Sequence, residues 1–67
     1  MVRTVEAPLR ARTLLVIDDE PPIRRAVANA LREVADRVLE ASTGGEGTDL
    51  AAAERPELVV LDLGLPD

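Results

Sequence analysis

Two four-residue apolar runs, Leu14-Leu15-Val16-Ile17 and Leu58-Val59-Val60-Leu61, each lead directly into aspartate: Asp18-Asp19 after the first, Asp62 after the second. Unbroken runs of this kind suit strands buried on both faces, as the strands of parallel sheets are. In open sheets of that type the functional crevice lies beyond the carboxyl ends of the strands. If the two runs are neighbouring parallel strands, Asp18, Asp19 and Asp62 converge on one rim. Carboxylates gathered in that way repel one another and require a cation, a proton or a phosphoryl–metal arrangement.

The chain between the runs reads as helix, strand and helix. From Pro21 or Pro22 to about Ala35, the residues Ile23, Val27, Ala30, Leu31 and Val34 recur at spacings of three and four, which predicts one apolar helical stripe. Proline is tolerated in the first turn, and the acids just before it suit the positive end of the helix dipole. Arg24 and Arg25 read as part of a solvated face. Arg37 to Ala41 is a short strand whose Arg37 and Glu40 suit a sheet edge. Thr43 and Glu46 have capping-box spacing, in which each side chain satisfies the other residue's backbone N–H. The helix they open runs to about Glu54, with Leu50 and residues 51–53 as its inner surface, and Arg55-Pro56 ends it. Gly44-Gly45 forms no phosphate-binding loop, since no Lys follows. Gly64 and Pro66 mark a turn after the last strand.

Strand-helix-strand-helix-strand predicts an α/β fold of parallel β-α-β units with right-handed crossovers, a doubly wound sheet left incomplete. Residues 1–12, with Pro8 and scattered Arg3, Arg10 and Arg12, read as a flexible leader, and residues 13–67 as the domain. At 67 residues that domain is small, and domains of about 60 residues are marginally stable. With no Cys, His, Phe, Tyr or Trp, its core is aliphatic and it has no covalent or metal-thiolate staple. A net charge of −5 argues against direct nucleic-acid binding. No apolar run is long enough to span a membrane, and the first residues lack the apolar segment of a secretory signal, so a cytoplasmic location is expected.

Together the two motifs are specific. Leu14 to Arg25, containing Ile17-Asp18-Asp19-Glu20-Pro21-Pro22, and Leu58 to Asp67, containing Leu61-Asp62-Leu63-Gly64-Leu65-Pro66, resemble the receiver domain of bacterial two-component response regulators. The wording around residues 21–25 and 61–67 is similar to that of the potassium-sensing Kdp-type regulators. The resemblance covers residues 13–67 and implies a flavodoxin-like fold whose first three strands stand in the order 2-1-3. It implies that Asp62 is the phosphoacceptor, that Asp19 binds Mg²⁺ directly, that Asp18 acts beside it through water, and that the Gly64 backbone carbonyl is a further ligand. In this arrangement Asp62 also contributes to the metal site. The chemistry is reasonable: a carboxylate is a competent covalent nucleophile, and Mg²⁺ is commonly held by one or two carboxylates plus phosphate oxygens and waters.

The resemblance also implies what a receiver ending at its third strand lacks: the switch Ser/Thr after the fourth strand, the Lys after the fifth, and a following DNA-binding domain. All eight basic residues are Arg, so self-association cannot restore the Lys, and phosphotransfer is expected to be impaired. The third strand, internal in a whole receiver, becomes an apolar edge that templates pairing. A homodimer is expected, either by edge-to-edge pairing or by domain swapping. Other expected partners are a sensor histidine kinase or an intact response regulator. The alternative function is a pseudo-receiver, a dimerisation or interaction module that works without phosphate. No separate base, Lys or second metal motif supports an independent phosphatase or nuclease, so the chain is not expected to be an enzyme.

Overall fold

Among the described residues five elements alternate: β1 (Ala11–Ile17), α1 (Pro21–Leu31), β2 (Ala35–Ala41), α2 (Gly44–Glu54) and β3 (Leu58–Leu61). The structure is a computed structural model that describes residues 11–62. Most of the expected leader, and the turn at Gly64 and Pro66, lie outside the described residues. The three strands form one sheet in the order β2-β1-β3, and β1 pairs in parallel with both neighbours. This is the order expected for the first three strands of a flavodoxin-like sheet.

The central place of β1 explains its composition. Leu14, Leu15 and Val16 are fully buried, because strands flank β1 in the sheet and a helix covers each face. Successive strand residues point to opposite faces. Leu14 packs with Leu31 of α1 and Val38 of β2. Leu15 and Ile17 pack with Leu39 and Ala41 of β2 and with Leu50 and Ala51 of α2. The two helices therefore cover opposite faces. The chain moves from β1 to β2, then crosses back over β1 to β3. Two crossovers of one hand that run in opposite directions put their helices on opposite sides. The reversal makes the gap between β1 and β3 a topological switch point, where such sheets bind ligands.

Several boundaries differ from the sequence expectation. β1 begins at Ala11 and β2 at Ala35, because the two strands pair along their whole length, from Ala11↔Ala35 to Ile17↔Ala41. The small Ala35 is buried against Leu14. α1 accordingly stops at Leu31, four residues early. The Arg32 N–H is shared between the carbonyls of Ala28 and Asn29 at 3.1 and 3.3 Å, and the Val34 N–H turns back to Leu31 at 3.0 Å.

The buried side of α1 is also rotated from the expected stripe. Ile23 and Val34 are exposed, whereas Ala28 is fully buried. The inward positions are Arg24, Val27, Ala28 and Leu31, so an arginine occupies a place the apolar pattern assigned to its neighbour. In α2, Leu50 and Ala51 face the core, but Ala52 and Ala53 are exposed.

The start of α2 follows the expected cap with one change. Thr43 Oγ1 accepts the Glu46 N–H at 3.0 Å. The Glu46 carboxylate, however, reaches the N–H of Ser42 at 2.6 Å rather than that of Thr43. Arg55 closes the helix in the left-handed conformation, φ 51°, its N–H bonded to Ala51 at 3.0 Å. β3 then lies on the sheet edge, with Leu58, Val59 and Leu61 exposed.

Candidate functional site

The carboxyl ends of β1 and β3 meet through the backbone. Ile17 pairs with Leu61, so Asp18 and Asp62 are each the first residue beyond paired strand ends. The Asp62 N–H donates to the Ile17 carbonyl at 3.0 Å, and the Asp18 N–H donates to Ala41 of β2 at 3.1 Å. Asp18 is thereby held between both neighbouring strands, and Asp62 stands directly beside it at the rim.

Local geometry then divides the acids. Asp18 is only 7% exposed, and its Oδ1 accepts the Glu20 N–H at 2.9 Å. This is an Asx turn, and it carries the chain from β1 into α1. Pro21 and Pro22 open the helix where missing N–H groups cost nothing. Asp19 and Glu20 are exposed. Carboxylate oxygens of Asp18, Asp19 and Glu20 lie within 4.8 Å of one another. The half-buried Asp62 lies at the adjacent strand end, and its carboxylate is not part of that tight group. Gly64 lies outside the described residues.

The donor set fits Mg²⁺, which takes hard oxygen ligands, keeps several waters and is held by few carboxylates. One acid is anchored in the turn and two are open to solvent, leaving room for water ligands. Glu20 was missed as a member of the group, although its adjacency to Asp18-Asp19 was a visible signal. Arg24 was missed as well. Expected on a solvated face, it instead donates Nη1 to the Asp18 backbone oxygen at 3.1 Å and Nε to Glu40 at 3.0 Å. The signal was its spacing of three, four and seven from Val27, Ala28 and Leu31.

Comparison with known proteins agrees with the geometry. Residues 14–67 match the family model for the response regulator receiver domain. Among curated relatives, the KDP operon transcriptional regulatory protein KdpE of Escherichia coli is 46% identical over 54 residues, covering 81% of this chain and 24% of that protein. The transcriptional regulatory protein KdpE of Mycobacterium tuberculosis is 50% identical, with the same coverage. The nitrate/nitrite response regulator NarL of Escherichia coli is 39% identical over 56 residues, 81% of this chain and 26% of that protein. The chain thus spans about a quarter of the length of these relatives. Receiver domains are signalling modules, and no helix among the described residues is long and apolar enough to cross a membrane. With the strand order, the acidic rim and the family match in agreement, the chain belongs to the response regulator receiver domain family.

Proposed function

We propose that Asp62 of this chain accepts a phosphoryl group from a sensor histidine kinase in the cytoplasm. Asp18 and Asp19 hold Mg²⁺ beside it, and the Gly64 carbonyl supplies a further ligand. The observation that carries this reading is the register: Ile17↔Leu61 pairing puts Asp18 and Asp62 side by side at a switch point. A carboxylate oxygen of Asp62 forms the new bond to phosphorus as the bond from phosphorus to the donor's nitrogen breaks, leaving an acyl phosphate. Asp18, fixed in its turn, holds the loop and acts through water. Asp19 and Glu20, both exposed, offer oxygens from the same loop. Bound Mg²⁺ supplies the positive charge that lets an anionic carboxylate meet an anionic phosphoryl group. Similarity to the two KdpE proteins extends the proposal to Kdp-type transcription control.

For the 67-residue chain by itself the transfer is weak, because it contains no Lys to neutralise the phosphoryl oxygens. Incubation with a small acyl-phosphate donor and Mg²⁺, followed by intact-mass measurement, tests the assignment. A slowly formed phosphoryl adduct, absent in Asp62→Asn, is the expected result. No adduct under any condition would favour a second reading, a pseudo-receiver that works by association. The observation behind that reading is the edge strand β3, where Val59 and Leu61 are 48% and 49% exposed. Two copies would pair their β3 edges into a continuous sheet or exchange elements.

A further inference from the structure

Arg24 ties the acidic loop to the neighbouring strand β2. It lies one turn into α1, its backbone N–H bonded to the Glu20 carbonyl at 2.8 Å, and its side chain is only 14% exposed. The guanidinium donates in two directions. Nε reaches Glu40 Oε1 on β2 at 3.0 Å, and Nη1 reaches the Asp18 carbonyl oxygen at 3.1 Å. Glu40 stands opposite Val16 in the β1–β2 register, with its second oxygen 3.7 Å from Arg32 Nη2. A guanidinium presents its donors in a rigid planar fork and can hold two acceptors at once. An ammonium on a flexible stem does not hold the same geometry.

The carbonyl it holds belongs to the acidic loop itself. The Ile17 oxygen is taken by the Asp62 N–H, and the next oxygen along, that of Asp18, is taken by Arg24. A peptide group is planar, so fixing the Asp18 oxygen also fixes the Asp19 N–H and the direction of its Cα. From the other side, Asp18 Oδ1 holds the Glu20 N–H at 2.9 Å. Both peptide units flanking Asp19 are therefore restrained, one by Arg24 and one by Asp18 itself.

We propose that Arg24, oriented by Glu40, is a positioning residue that presets the Asp18–Asp19 peptide so that both carboxylates stand ready for a divalent cation. This rests on the reading of Asp18, Asp19 and Asp62 as a Mg²⁺ site. Charge alone would act in the opposite sense: a guanidinium beside the loop repels an incoming cation, so its removal would tighten binding. Positioning requires that its loss loosen binding, and the sign separates the two roles.

The test uses the full chain, ¹⁵N-labelled, as wild type, Arg24→Lys, Arg24→Gln and Glu40→Gln. The first readout needs no metal. In both Arg24 variants the Asp19 and Glu20 amide signals move and the Glu20 amide loses hydrogen-exchange protection, while Leu50 and Ala51 in α2 stay in place. The second is a Mg²⁺ titration with urea unfolding alongside, so that affinity refers to folded protein. Affinity falls about 10-fold or more in Arg24→Lys and Arg24→Gln, the range seen when outer-shell partners of metal ligands are lost. Because Lys keeps the charge, loss in Arg24→Lys excludes a purely electrostatic role. Glu40→Gln shifts both readouts in the same direction by less, and with Arg24→Lys it decides the matter if Arg24→Gln does not fold. Unmoved Asp19 and Glu20 signals in Arg24→Lys, or Mg²⁺ affinity equal to or tighter than wild type, overturn the proposal. A wild type that binds no Mg²⁺ overturns the site reading instead, and the metal-free signals still decide the role of Arg24.

Discussion

Replacing Gly47 with alanine probes the seat of α2 on the sheet and, through Ile17, the strand that carries Asp18. Gly47 is buried, and a Cβ built there would lie 2.3 Å from Ile17 Cδ1 and 2.8 Å from its Cγ1. Carbon atoms settle at about 3.5–4.0 Å, so something must move. Rotation about χ2 carries away Cδ1 but leaves Cγ1 in place, and χ1 of a β-branched residue is stiff. The helix must therefore lift or Ile17 must leave its rotamer, at the about 1–3 kcal/mol typical of overpacking. Alanine regains about 1 kcal/mol of helix propensity over glycine. With two atoms in conflict the clash falls in the upper part of its range, giving a net loss of about 1–2 kcal/mol. The chain has no aromatic residue, so urea unfolding is followed by far-ultraviolet circular dichroism. Gly45→Ala is the control, since a Cβ there meets only Thr43 Oγ1 at 4.0 Å. It should be neutral or stabilising by up to about 1 kcal/mol. Ile17→Val removes the atom at 2.3 Å and should recover part of the Gly47→Ala loss in a double-mutant cycle. A Gly47→Ala protein as stable as wild type would refute the packing of α2 on Ile17.

Three further outcomes follow from single contacts. Thr43→Ala removes the acceptor for the Glu46 N–H and should cost about 1 kcal/mol in the same unfolding assay, the usual loss of an N-cap. Lys in place of Val59 or Leu61 puts charge on the exposed apolar edge. In sedimentation equilibrium, wild type should self-associate at micromolar concentration and both variants should shift to monomer, while a monomeric wild type would remove the basis for edge pairing. Asp62→Asn should abolish the phosphoryl adduct and leave Mg²⁺ binding weakened rather than absent, since the tight carboxylate group belongs to the β1–α1 loop.

What could be read from the residues, and what could not, follows from the range of the forces involved. The two apolar runs identified β1 and β3, because short apolar runs are a local signature, and the alternation of elements pointed to parallel pairing, whereas the order 2-1-3 followed from the resemblance to receiver domains. The Thr43 cap was legible because capping is settled within four residues. Its partner bond was not, since Glu46 prefers the N–H of Ser42 to that of Thr43 and spacing alone does not separate neighbouring donors. The buried side of α1 was misjudged because an arginine can bury its stem while its head finds partners, here Glu40 sixteen residues away. Periodicity reads apolar side chains and is blind to a guanidinium used in that way. Gly47 bears no local mark in the sequence. Its function as a point of close approach depends on where Ile17 sits, which only the assembled fold reveals.

The shared acidic rim is tested most directly by adding substoichiometric Mn²⁺, as a paramagnetic stand-in for Mg²⁺, to the ¹⁵N-labelled chain. Amides of Asp18, Asp19, Glu20 and Asp62 should broaden together. Thr13 and Leu58, at the other end of the same strands, should stay sharp, because five residues at about 3.3 Å each put Thr13 roughly 16 Å from Asp18. Broadening at residues 18–20 without Asp62, or at the Thr13–Leu58 end, would contradict the pairing that brings the two strand ends to one site.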